Sequence, residues 1–189
     1  GHRRFFLDSV HFEVPQSRLR VFDVFLRGRR VPRWQPPVLP AEAWMPVAAV
    51  LDPSVPWNPT EPAARRARGL APLAEGTLRQ IDAGKTRFGG ATFLVPYYGA
   101  WRREDYVLVY PITQPVGTLE TVDRYGLCRH HEGAWQFRMM TPGEQSRCFG
   151  FPVGYKLLGN RRDQVRQVGN AVVCNVAAWL VSRVMEECS

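Results

Sequence analysis

The chain has 189 residues, 45% of them apolar and 12% aromatic, enough to build the core of one ordinary domain, or of a small domain with part of another. It contains no run of about 18 or more apolar residues, its opening "GHRRFFLDSV" lacks a signal-type apolar region, and Cys128, Cys148, Cys174 and Cys188 show no Cys-x-x-Cys spacing; a spanning helix, a secretory leader and a disulfide framework are therefore not expected, whereas reduced thiols and a cytoplasmic location are. The net charge of +8 favours a polyanionic partner.

Residues 1–33 carry eight arginines against Asp8, Glu13 and Asp23. Within "HFEVPQSRLRVFDVFLRG", Pro15 marks a turn, and Val21, Phe22, Val24, Phe25 and Leu26 form a short β-favouring run ending at Gly28. Apolar residues on both faces of that run predict a strand buried in a parallel sheet. A proline-rich connector follows from Val31, unable to sustain long elements. The spacing then predicts a short helix over about 71–82, ended by Gly84. Short extended segments, "ATFLVPYYG", "YVLVYPI" and "VGTLETVDRYGL", make residues 91–130 a small β-rich module. The "CRHH" stretch at 128–131 has no second ligand pair at a usual zinc spacing, so no metal site is expected.

The end of the chain has the clearest local grammar. In "FRMMTPGEQSRCFGFP", Thr141 is suited to cap a helix, Pro142 to its first position and Glu144 to a capping box, with Gly150 closing the helix and Pro152 preventing its return. "GNRRDQVR" adds Arg161, Arg162 and Arg166. In "RQVGNAVVCNVAAWL", Asn170 is expected to cap a second helix whose apolar positions run from Ala171 to Val184. The N-terminus of such a helix presents free N–H groups and positive dipole, suited to a carboxylate or phosphate.

Three motifs in this order, "VPQSRLRVF", "FRMMTPGEQSRCFGFP" and "QVGNAVVCNVAAWL", resemble the C-terminal part of the DNA cytosine-5 methyltransferase family: its Gln-x-Arg-x-Arg motif, its Arg-x-x-Thr-x-x-Glu…Gly-Phe-Pro motif and its final Gly-Asn-Ala-Val motif. "PVGTLETVDRYGL" is similar to the Thr-Leu segment of its target-recognition domain, here Thr118-Leu119. The resemblance implies an α/β chain: part of a Rossmann-like S-adenosylmethionine-dependent methyltransferase sheet from residues 1–33 and 136–189, with a connector and small β-rich target-recognition domain from 34–135.

On an extended chain Gln16, Arg18 and Arg20 point to one side at spacings of about 6.6 Å, making a polar row able to enter a cleft. By resemblance, Arg20 approaches a flipped cytosine and helps hold a catalytic glutamate, Arg18 supports it, and Gln16 contacts DNA; Asn170, Ala171 and Val172 help close the S-adenosylmethionine pocket. Thr118 is the candidate for a register-setting backbone contact, and Arg102, Arg103 and Arg124 are candidates for bidentate guanine contacts. The family's chemistry flips the base out of the duplex, attacks it with a thiolate from a Pro-Cys motif and uses a Glu-Asn-Val acid and a Gly-rich cofactor loop. None of these three motifs occurs in this chain, and no cysteine follows a proline. The expected partners are therefore double-stranded DNA and a complementary N-terminal half, on a second chain or on upstream sequence. Two alternatives stay open: a non-catalytic DNA-binding remnant, and a relative acting on RNA.

Overall fold

The computed structural model describes residues 1–97 and 108–188, which form two compact units. One comprises Gly1–Val50, Gln114–Thr121 and Pro142–Ser189; the other comprises Leu51–Thr113 and Val122–Thr141. Residues 34–50 and the short strap 114–121 thus belong with the arginine row.

The first unit begins with β1 (His2–Asp8), which pairs with β2 (Leu19–Phe25). The pairing is antiparallel, Phe5 opposite Phe22 and Leu7 opposite Arg20. This corrects the expectation of a buried parallel strand. The period-2 alternation turns Phe5 and Leu7 inward, whereas Phe6 and Phe25 remain 65% and 72% exposed on the opposite face. Apolar residues on both faces had suggested double burial; among the described residues only one face is covered.

The helices of this unit also differ from expectation. The short α3 (Pro142–Arg147) does end near Gly150, whose φ of +77° places it in the left-handed region. The second helix is two. α4 (Arg161–Asn170) starts at Asn160, whose side chain accepts the Asp163 N–H at 3.1 Å, and α5 (Cys174–Cys188) begins only after an extended break. Asn170 is therefore the last residue of α4, not the cap of α5. Gly169 explains the break: a Cβ there would lie 2.4 Å from the Glu120 carbonyl carbon, so the strap backbone passes directly over the end of α4. Trp179 of α5 packs edge-on against Phe5, Phe12 and Trp34 at centroid distances of 5.8–6.4 Å. The span Arg161–Cys188 is apolar enough by length and composition alone to cross a membrane, but it is divided into α4 and α5. Val172, Val181 and Met185 lie exposed along it.

The second unit is a five-stranded sheet in the order β3 (Asn58–Pro59), β7 (Ala134–Met139), β6 (Tyr125–His131), β4 (Phe93–Pro96), β5 (Tyr110–Pro111), with neighbouring strands antiparallel. The proline-rich stretch holds both β3 and a short helix, α1 (Pro62–Ala67). α2 (Glu75–Phe88) runs past Gly84, which does not end the helix as expected. A Cβ at Gly84 would sit 2.1 Å from the Phe93 ring, so this glycine admits the sheet against the helix, and Gly89 caps the end. Ile81, Phe93, Val95, Cys128 and Phe137 form the core between them.

Candidate functional site

The site is built around the turn that returns the chain from β1 to β2. The Asp8 carboxylate accepts the Val10 N–H, the Arg18 N–H at 2.8 Å and the Ser17 hydroxyl at 2.9 Å, closing that turn with one side chain. The strap fixes the other side. Ser17 N–H donates to Val116 and Val116 N–H to Pro15, both at 2.9 Å, while the Thr118 hydroxyl donates to the Ser17 carbonyl at 3.2 Å. The arginine row is held from two directions before either guanidinium makes a contact.

Arg18 then joins the pieces. Its guanidinium donates to the Leu119 carbonyl at 2.7 Å and the Gly169 carbonyl at 2.8 Å, and lies 5.1 Å from the Phe149 ring centroid. It therefore bonds the strap and the end of α4 while stacking on the turn after α3. Partial burial, with the nearby positive charge of Arg20, lowers its pKa. Arg20 is different. It is exposed, and its only hydrogen bond among the described residues is to the carbonyl of its neighbour Leu19, at 2.7 Å. Its remaining N–H groups are available to a ligand.

A pocket of about 240 Å³ opens where these elements meet, lined by Leu7, Ser9, Arg18, Arg20, Val21 and Phe22 on one side and by Asn170, Ala171, Val172, Val173 and Val176 on the other. The arginine row and the Gly-Asn-Ala-Val segment thus share one cavity. Its wall is cationic at one side and apolar at the other, suited to a ligand with a carbonyl or anionic edge and a flat apolar body. The volume falls below the roughly 300–1,000 Å³ of complete small-molecule sites. Of the other lining residues, Val21, Phe22 and Val176 read in the sequence only as apolar positions of a strand and a helix, and Val173 carries no signal there; the alternation of Val21 and Phe22 beside Arg20 is the one available clue.

Other expected residues are placed elsewhere. Gln16, expected as a DNA contact, is 0% exposed; its amide donates to the Cys148 carbonyl at 3.2 Å and accepts the Leu119 N–H at 2.9 Å, making it an internal tie between the first motif, the second motif and the Thr-Leu strap. The Thr118 hydroxyl is committed to Ser17. Arg124, in the second unit, donates to the Tyr97 carbonyl at 3.1 Å. Arg102 and Arg103 lie outside the described residues. Burial pushes the Cys128 thiol up to about 12 and raises those of Cys148 and Cys174 as well, so none of these three is poised as a nucleophile. Among the described residues no group of three or more His, Cys, Asp or Glu converges on a metal position.

No curated protein matches the chain. A family model, C-5 cytosine-specific DNA methylase, matches residues 67–186, well over half the sequence. That span includes the second and third motifs; the arginine row lies upstream of it.

Proposed function

Because the chain belongs to the C-5 cytosine-specific DNA methylase family, we propose that it supplies one wall of a cytosine-methylating centre and the DNA-recognition module, and that an N-terminal half supplies the rest. The observation that carries this reading is the shared pocket: Arg18 and Arg20 on one side and Asn170, Ala171 and Val172 on the other.

In this reading Arg20 offers its fork to the carbonyl edge of a flipped cytosine and to a carboxylate on the missing wall. Arg18 holds the row in place through Leu119 and Gly169. Ala171 and Val172 form the apolar side against which S-adenosylmethionine rests, with Asn170 as the polar neighbour. When bound, the cofactor supplies an electrophilic methyl group. The residues fit it in part: small and apolar side chains leave room for a flat ring, but a cavity of about 240 Å³ accommodates only a portion of such a ligand. The nucleophilic thiolate and the acid come from the other half, consistent with the raised thiol pKa values of Cys128, Cys148 and Cys174. The exposed Phe6, Val21 and Phe25 on the sheet and Val181 and Met185 on α5 are the apolar surfaces that this half covers.

Calorimetric titration with S-adenosylmethionine tests the assignment. Weak or no binding is expected to the chain alone, and micromolar binding once a family N-terminal half is added, with A171W abolishing the heat. Equal binding by wild type and A171W would refute the placement. Salt-dependent DNA binding without any cofactor binding, even with the second half present, would support the non-catalytic remnant instead.

A further inference from the structure

On the sheet of the second unit, β7 alternates: Trp135, Phe137 and Met139 pack toward the α2 core, which leaves Gln136 and Arg138 on the opposite face. Cross-strand register puts Arg129 opposite Gln136, and Asn58 opposite Phe137, so Trp57 continues that register beside Arg138. The face so formed has an unusual composition. The guanidinium carbons of Arg129 and Arg138 lie 4.4 and 4.8 Å from the Trp57 ring centroid, and Arg68 of the loop after α1 donates to the Trp57 carbonyl at 3.5 Å. The indole thus stacks with two arginines, and a third bonds the main chain of the same residue.

Resting on the reading that the chain acts on DNA, we infer that this Trp57-centred face binds the phosphodiester backbone of duplex DNA, with Arg129 as its principal phosphate contact. Three observations carry the inference. Arg129 spends only its Nε–H within the protein, on Gln136 Oε1 at 2.9 Å; among the described residues its two terminal amino groups have no acceptor and no carboxylate partner. That leaves a planar fork of four N–H groups, whose geometry matches a phosphate. The indole holds the fork by stacking and so reduces the conformational freedom lost when an anion binds. Finally, the exposed Arg68 meets the main-chain carbonyl of the same tryptophan, so a second guanidinium that solvent reaches lies on this face with Arg129. Arg138 is 5% exposed and acts as a positioning residue beneath the ring; Arg129, half-buried, and Arg68, exposed, are the groups a strand can reach. A phosphate contact of this kind fixes register on the duplex and carries no base preference of its own.

The test is fluorescence anisotropy with the full chain at nanomolar concentration and a labelled duplex, over a range of salt. R129Q should weaken binding about tenfold at low salt, by the same factor on duplexes of different sequence, and should reduce the slope of log K against log salt by about 0.9. R129K, which keeps the charge and loses the fork, should recover the slope but only part of the affinity. R183Q, at an arginine paired with Glu186 in the other unit, should behave as wild type. Matching thermal melts for R129Q and wild type exclude a folding defect. If wild type binds duplex and R129Q binds it equally well, this face is not the contact while the DNA-acting reading stands. If wild type binds no duplex at any salt, both fall. An equal R129Q defect toward polyglutamate would make the face a general anion surface and overturn its assignment to DNA.

Discussion

Replacing Arg18 is the most informative single perturbation of the first unit, because one side chain bonds the strap and α4 while stacking on Phe149. A hydrogen bond from a charged donor contributes about 1.5–3 kcal/mol when well buried. Arg18 is only half-buried, so water replaces part of each lost bond, and halving the sum for screening is appropriate. The stacking contact with Phe149 adds about 0.5–1 kcal/mol. R18A should therefore destabilise the first unit by about 2–4 kcal/mol. R18K, able to reach one carbonyl but not both, should lose about half as much. Urea unfolding followed by tryptophan fluorescence measures this, with Trp34 and Trp179 reporting on the first unit. An R18A midpoint shift equivalent to less than about 0.5 kcal/mol, at unchanged slope, would refute the view that Arg18 ties these segments together.

Other consequences can be measured directly. Alanine at an ordinary helical glycine gains up to about 1 kcal/mol, but G84A should lose about 1–3 kcal/mol because its methyl group would enter the Phe93 ring; a stabilised G84A would contradict the packing of α2 on β4. The Cys128 thiol is raised by burial to about 12 from an ordinary 9.0. A raised folded pKa means its contribution is complete below about pH 9 and declines as pH rises from there toward 12, at up to about 1.4 kcal/mol per pH unit. C128A should flatten the alkaline limb of stability by about that slope, and an unchanged limb would show that the thiol is not shielded. In native thiol labelling Cys188, which is exposed, should react first, with Cys128 and Cys148 reacting only on unfolding. Rapid native labelling of Cys148 would contradict its burial. At micromolar concentration the chain alone should self-associate through Phe6, Phe25 and Met185, and light scattering should show F6S/F25S to be more monodisperse.

Part of this structure was legible in the sequence for clear reasons. Alternation in an extended chain projected Arg18 and Arg20 to one side, and both line the pocket. Pro142 and Gly150 marked the two ends of α3 because proline and glycine act through backbone geometry that needs no tertiary context. The failures share a physical cause, which is that long-range packing decided them. Gly84 looks like a helix terminator until Phe93 arrives against it. Asn170 looks like a cap, yet the strap crossing at Gly169 ends one helix there and delays the next to Cys174. Gln16 shares the spacing of the arginines but precedes β2, and the bridge to Val116 draws it inside. Apolar residues on both faces of β2 cannot distinguish a covered strand from one whose second face is bare. The Trp57 face was invisible because the sequence separates Trp57 from Arg129 and Arg138 by more than seventy residues, and only the β3–β7–β6 register brings them together.

The central claim is that the pocket is one wall of a shared centre. Methyl transfer from labelled S-adenosylmethionine to duplex DNA, measured with the chain alone, with a family N-terminal half alone and with the two mixed, tests it most directly. Transfer to cytosine C5 should appear only in the mixture and fall by at least a hundredfold with R20A, as expected for loss of a donor acting at the reacting base. Transfer by the chain alone, or a stable mixed complex whose activity is indifferent to R20A, would contradict it.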